Sequence, residues 1–436
     1  MRQAEATTAN LEVAADRAPS EAYWDIVWRQ FKKNSGAYWS LCLLLPLFLT
    51  AIFAPAIASN QPFIYVDGDQ TLYPWFRAIL NPDQPVDYFF NMAMVAFFPW
   101  VAVALFTNSR MKRRAAAGRR RVLNVVIQYL AITAALGILF LLGSGGRYWL
   151  RPVDKYWARS FVTEDFEATQ SGASVRSVYP PIPFGPIEID LKARSKGPGY
   201  RKPVEIQSDS NDRAIHWLGT DNTGRDVLTR MIYGARISMS VGFVAVGIYV
   251  TIGVLVGAIA GYFGGVVDML ISRLIEIVLL FPSFFLILTL VALIGPSIYV
   301  IMFVIGITSW ATIARLTRGE VLKQRSIDYT AAARALGSSH FRIIFRHILP
   351  NALSPALVSA PFGIASAIIT EAGLSLLGFG VRPPAPSWGS ILQQAHGNYN
   401  YWWLIVVPSL AMFLTVTIYN LVGSGLRDAM DPRLRI

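Results

Sequence analysis

Residues Ser326 to Asn351 read S-I-D-Y-T-A-A-A-R-A-L-G-S-S-H-F-R-I-I-F-R-H-I-L-P-N, a polar, basic island between apolar runs at 297–314 and 352–378. Asp328 is placed to cap a short helix and favours its positive N-terminal end. Ala331, Ala332, Ala333, Arg334 and Ala335 propagate that helix, because alanine loses no side-chain entropy in it. Gly337 can take the left-handed conformation that ends a helix. Ser338 or Ser339 then caps a second helical stretch from Phe341 to His347, and Pro350 opens the next apolar run. The expected product is a small, alanine-surfaced helix standing out from a membrane. Arg315, Arg318, Lys323, Arg325, Arg342 and Arg346 flank it. Small side chains let a partner's groove approach the backbone closely, as helix-in-groove docking requires. Charge alone is equally satisfied by an ordinary basic cytoplasmic loop.

Composition sets the solvent. With 436 residues, 54% hydrophobic and only 15% charged, the chain reads as a membrane protein. The net charge of +12 raises the question of nucleic acid. The basic residues, however, cluster beside apolar runs, where membrane topology puts them, so no nucleic-acid partner is expected. A single cysteine, Cys42, lies in an apolar run, which excludes an intrachain disulfide and a cysteine metal cluster. The first 33 residues are polar and mixed in charge, unlike a signal peptide.

Working outward, residues 1–37 form a cytoplasmic tail in which 21–33 alternates aromatic and charged residues, a pattern for an interfacial helix or an aromatic loop. The first span is expected at 38–58, followed by an extracytoplasmic loop at 59–85. A transmembrane hairpin at 86–142 encloses R-M-K-R-R-A-A-A-G-R-R-R at 110–121, the densest basic cluster in the chain. That cluster is expected in the cytosol. Residues 143–234 form a long extracytoplasmic region. The last part, 235–425, holds spans near 236–261, 270–294, 297–315, 352–378 and 404–425, with a cytoplasmic tail at 426–436. Eight spans put both termini and the 326–350 loop inside.

Residues 216–238, H-W-L-G-T-D-N-T-G-R-D-V-L-T-R-M-I-Y-G-A-R-I-S, have the glycine gap of a phosphate-binding loop at Gly219 and Gly224. Arg225 and Asp226 replace its Lys and Ser/Thr, and aspartate repels phosphate, so nucleotide binding is excluded. The glycines allow tight turns, while Asp221, Arg225 and Asp226 can form an ion-pair network at the membrane edge.

The stretch resembles the G-T-D-x-x-G-R-D signature of C-type permeases of dipeptide and oligopeptide ABC importers. The 326–351 segment resembles the same family's coupling loop, E-A-A-x3-G followed by I-x-L-P. Ala332, Ala333, Gly337, Leu349 and Pro350 match it, while Ala331 stands at the Glu position and His347 at the Ile. Further similar stretches are G-Y-F-G-G-V-V-D at 261–268, F-P at 281–282 and W-A-T-I-A-R-L-T-R-G-E-V-L at 310–322. L-S-L-L-G-F-G-V-R-P-P-A-P-S-W-G at 374–389 and G-L-R-D-A-M-D-P-R-L-R at 425–435 complete the series. The first span and I-Y-V-D-G-D-Q-T-L-Y-P at 64–74 resemble the Yej-type subgroup. The 86–142 hairpin has no counterpart in the usual six-helix permease.

The resemblance implies an all-α integral membrane protein of the bacterial inner membrane. Its type I ABC importer core of six spans carries an inserted hairpin and a long extracytoplasmic loop. It implies peptide uptake with a second permease subunit, two ATP-binding subunits, an extracytoplasmic solute-binding protein and surrounding lipid. Modified peptides and nickel chelates are alternative solutes. No cofactor and no catalytic residue are expected in this chain. The coupling residues implied are Asp328, Ala331, Ala332, Ala333, Arg334, Gly337, Arg342, Arg346, Leu349 and Pro350.

Charges inside spans need a reason. Arg273 and Glu276 are one turn apart and can pair near the cytosolic side, and Glu371, deep in the 352–378 run, reads either as a contact in a translocation path or as a helix–helix hydrogen bond. His216 and His396 are too isolated for a metal site. A secondary transporter would need inverted repeats and midplane carboxylates, of which only Glu371 is a candidate. A membrane hydrolase would need His or paired carboxylates inside a span.

Overall fold

Asn34 opens the first long helix by accepting from the Ala37 N–H at 3.2 Å. The computed structural model describes residues 23–67, 70–80, 82, 85–113, 118–143, 175–203 and 214–431. The N-terminal 1–20 segment, the side chains of the 110–121 cluster and part of the 188–212 tract lie outside the described residues.

Helix α1 (Tyr23–Lys33) turns its Val27 and Phe31 onto Ala37, Ala429 and Met430. Helix α2 (Ser35–Ile52) stops short of the expected 38–58 span because Pro55 has no N–H to give the Ala51 carbonyl. A separate turn, Ala54–Ile57, follows. Helices α3 (Pro85–Arg113) and α4 (Gly118–Gly143) form the hairpin. Trp100 and Tyr129 donate across it to the carbonyls of Val125 and Ala93.

The all-α expectation is amended outside the bundle. Strands β1 (Ile64–Asp67), β2 (Gln70–Leu72) and β3 (Val175–Val178) make an antiparallel sheet in the order β2-β1-β3, with Tyr65 opposite both Leu72 and Ser177. Strands β4 (Tyr200–Arg201) and β5 (Ile215–His216) make a second pair.

The axis of the molecule is α5 (Val227–Phe263), 37 residues long. At about 1.5 Å per residue it is roughly 55 Å long, well beyond a hydrocarbon core. Around it lie α6 (Gly265–Leu280), α7 (Ser283–Ile294), α8 (Ile298–Thr308), α9 (Trp310–Arg325), α10 (Asp328–Ala335), α11 (Ser354–Leu376), α12 (Trp388–Gln393) and α13 (Trp402–Met430). One apolar core joins α5 to α2, α11 and α13, and a second joins it to α7, α8 and α11.

Two expectations about spans change. The run 270–294 is not one helix: α6 and α7 meet at 83°, because Phe281 precedes a proline and is driven to extended geometry (φ −79°, ψ 131°). Among the described residues, five helices are long and apolar enough to cross a membrane, or six with this bent pair. The hairpin contributes shorter apolar stretches, Val86–Val101 and Asn124–Leu139.

Candidate functional site

The 326–351 segment folds as helix, turn and second helix. Ile327, not Asp328, is the N-cap residue of α10, so Asp328 lies in the first turn, where its charge still favours the positive helix end. Thr330 ties the helix back, its hydroxyl donating to the Gln324 carbonyl at 2.9 Å. Gly337 (φ 74°) ends α10, and the Ser338 N–H closes onto the Ala333 carbonyl at 3.1 Å. A side chain at Gly337 would meet no atom within 4 Å, so conformation alone demands glycine there. Ser339 is the cap of the second helix. A π-helical stretch, Ile343–Ile348, precedes Pro350.

The segment is two-faced. Ala333 points inward, packed in one cluster with Val321, Ile343, Ile348 and Ala352. Its expected place on the docking face is therefore corrected: the bundle, not the alanine pattern, sets the helix phase. Ala331, Ala332, Arg334, Ala335, Arg342, Arg346 and Pro350 are exposed, and Leu349 is half-buried. Leu336 and Phe341 are 86% and 70% exposed, an apolar patch that the reading of the loop as alanine-surfaced and basic overlooked.

What holds this segment is the lower half of α5. Gly253, Gly257 and Gly261 recur every fourth residue against α9. A Cβ at Gly257 would collide with the Ala314 carbonyl oxygen, and one at Gly261 would stand 2.8 Å from that of Arg318. The two backbones thus meet as small-xxx-small pairs do. Arg318 grips Asp268 through both carboxylate oxygens, its Nη2 at 2.7 Å, and so joins two of the motif stretches. Tyr262 bonds the His340 ring at 2.7 Å.

At the opposite end of α5 the glycines serve a turn. Gly219 (φ 76°) and Gly224 (φ 83°) press on the backbone of Lys196 and Asp190, leaving no room for a side chain. Asp221 accepts from Arg225 Nε at 2.7 Å and from the N–H groups of Thr223 and Arg225. Burial pushes the Asp221 carboxyl up, but Arg230, Arg225 and the Thr223 hydrogen bonds outweigh it and hold it below the usual value. Asp226 does not join this network. It caps α5 through the Thr229 N–H at 2.7 Å and binds His216 Nδ1 at 3.0 Å. The His216 ring is stacked on Phe184, centroids 4.1 Å apart.

Glu371 lies five residues before the end of α11 rather than deep in it, and it is fully buried. It accepts from Ser375 at 2.7 Å and from Ser387, the cap of α12, at 2.8 Å. It thus ties the 379–401 loop to α11 and has no surface toward a path in this structure. Arg273 and Glu276 do pair, at 2.6 Å.

Arg236 was missed. Fully buried in α5, it donates to the Ala51 carbonyl at 2.6 Å and the Ile52 carbonyl at 3.1 Å, the groups released by the break before Pro55. Its Nη1 reaches Asp87 at 3.0 Å and Asn91 at 2.9 Å on the hairpin. The sequence signal was there, an arginine following an alanine in the apolar start of a span, but its partners are 149 and 185 residues away. No cluster of metal-binding side chains occurs among the described residues.

Comparison with known proteins adds two profile matches and three relatives. Residues 253–436 match the profile of the binding-protein-dependent transport system inner membrane component, and residues 22–76 match the N-terminal TM domain of oligopeptide transport permease C. The dipeptide transport system permease protein of Alkalihalophilus pseudofirmus is 43% identical over 51% of this chain and 73% of its own length. The glutathione transport system permease protein of Pectobacterium atrosepticum is 40% identical over 51% and 74%. The peptidoglycan transport system permease protein of Agrobacterium fabrum is 30% identical over 93% of this chain and 92% of its own, so that likeness extends through the hairpin and the long loop.

Proposed function

From the premise that the chain belongs to the inner-membrane permeases of ABC importers, as a C-type relative of the peptide permeases, we propose that it forms half of a path for peptides or peptide-like solutes. It is a multi-pass membrane permease rather than an enzyme, and its family works with ATP-binding subunits and a second permease. The finer reading is that α10 seats in an ATPase groove, with the bound ATP held by those subunits. A solute-binding protein delivers cargo on the far side, and lipid surrounds eight spans that include the hairpin. ATPase closure then pushes α10, and the push passes along the glycine-packed α5–α9 pair to rock the bundle between inward- and outward-open states.

The observation that carries this reading is the exposure of Ala331, Ala332, Ala335 and Leu336 on a helix whose opposite side is anchored to the bundle. Its test is disulfide crosslinking from Ala332→Cys, in a Cys42→Ser background, to single cysteines around the groove of the ATPase subunits. Crosslinks whose yield changes with ATP are expected. A chain that never crosslinks in an assembled, active complex would contradict the docking.

A further inference from the structure

Helix α10 is tied to the bundle at both of its ends, by different partners. Ahead of it α9 ends at Arg325, and Gln324 holds the first turn of α10. The Gln324 carbonyl accepts from the Thr330 hydroxyl at 2.9 Å, and its side-chain oxygen accepts from the Tyr329 hydroxyl at 2.7 Å. Behind α10, His340 opens the second helix and meets the last turn of α5. Its Nδ1 and the Tyr262 hydroxyl share a hydrogen bond at 2.7 Å, with the two rings edge to face and their centroids 5.6 Å apart. Tyr262 is only 3% exposed and belongs to the cluster of Ala333, Ile343 and Ile348. Packing therefore fixes its ring, and the hydroxyl meets His340 at the edge of that core.

The chain beyond His340 does not supply a second firm attachment. It runs through the π-helical stretch Ile343–Ile348, reaches Pro350 and breaks again at Leu353 before α11. Helices bend at π-helical turns and prolines, because the regular ladder of hydrogen bonds is interrupted there. A push sent forward along this route dissipates in bending. The contact with Tyr262 comes before the soft stretch, and it reaches a helix that runs unbroken for 37 residues from the Asp226 cap. A helix tied at one end pivots about that end. Tied at both, it moves as a body with what holds it.

We propose that the Tyr262–His340 hydrogen bond is the contact by which ATPase closure moves α5. It positions the trailing end of α10, so a push on that helix displaces α5 as a rod, and without it α10 turns about Gln324. Both are positioning residues. The imidazole suits the place, since its ring lies against Tyr262 and Phe263 while one nitrogen bonds the hydroxyl. The assignment rests on the reading of α10 as the ATPase-docking helix and names how that site passes its load inward.

The test follows amide hydrogen exchange by mass spectrometry in the assembled complex, without nucleotide and with ATP plus vanadate. In the wild type, ATP should alter exchange in residues 326–350 and also in 214–226, the joint at the far end of α5. Tyr262→Phe and His340→Ala should keep the first change and shrink the second by about three- to tenfold, the weight of one hydrogen bond. His340→Asn, whose amide reaches the position of Nδ1, should restore it. The two variants combined should add nothing to either alone, as residues sharing one contact do. The contact loses this role if both single variants pass the change to 214–226 undiminished, or if the wild type shows none there. It loses it equally if the variants lose both changes together, which marks a merely structural contact. Absence of any ATP-dependent change at 326–350 in the wild type, with no Ala332→Cys crosslink to the ATPase subunits, sinks the docking reading and takes this assignment with it.

Discussion

The two ends of α5 are built from opposite materials. At the outer end, charged side chains reach backbone groups: Asp226 caps the helix, Asp221 gathers Arg225 and Arg230, and Arg236 takes two carbonyls of α2. At the other end glycines press α5 onto α9, and the helix beyond them shows alanine, leucine and phenylalanine to solvent. The outer end satisfies itself within one chain. The other end leaves an apolar surface uncovered within this chain, at Leu336 and Phe341. One end is therefore a fixed joint, and the other carries the surface proposed above to dock.

The sharpest way to break this contrast is at Arg236. Asp87→Ala leaves a buried guanidinium without its counter-charge and should cost about 3–5 kcal/mol. Thermal unfolding of the detergent-purified chain should fall markedly, and Arg236→Ala should do the same by orphaning the carbonyls of Ala51 and Ile52. The hairpin is therefore more than an appendage on a complete core. Deleting 86–142 removes both Asp87 and Asn91 and should destabilise the chain as the point variants do.

A smaller effect is expected at Asp221. Its carboxyl is held below the usual range, so its contribution is fully present above the unfolded value near pH 4 and is lost as pH falls through the folded value. The melting temperature of the wild-type chain should hold between pH 7 and 5 and drop below about pH 4. Asp221→Asn should lower it at neutral pH and flatten part of the acid drop.

These regions also differ in how far the sequence could disclose them. The 326–351 segment was legible because its helix, glycine stop and serine cap are local chemistry, written within a few residues. The direction of Ala333 was not, since Ile343 and Val321 decide it from outside the helix. The G-V-L-V-G-A-I-A-G spacing at 253–261 carried a close-packing signal that a reading by hydropathy alone passes over. Pro282 was visible too, but it reads as a motif residue until the 83° bend shows what it does. Arg236 lay beyond reach because three separate segments converge on it. Asp226 was expected among the ion pairs, and the structure gives it to the helix end instead.

The smallest change in stability should come at Gly337, and it bears most directly on the docking claim. Gly337→Val forces a β-branched residue into left-handed geometry at a cost of about 1–2 kcal/mol, with open space around it and no packing to disturb. The account predicts a chain that inserts, melts close to wild type and purifies with its partner subunits, yet loses solute uptake and transport-coupled ATP hydrolysis. Uptake at the wild-type rate by a normally expressed Gly337→Val complex would contradict it, because a free loop tolerates that change and a docked helix end does not.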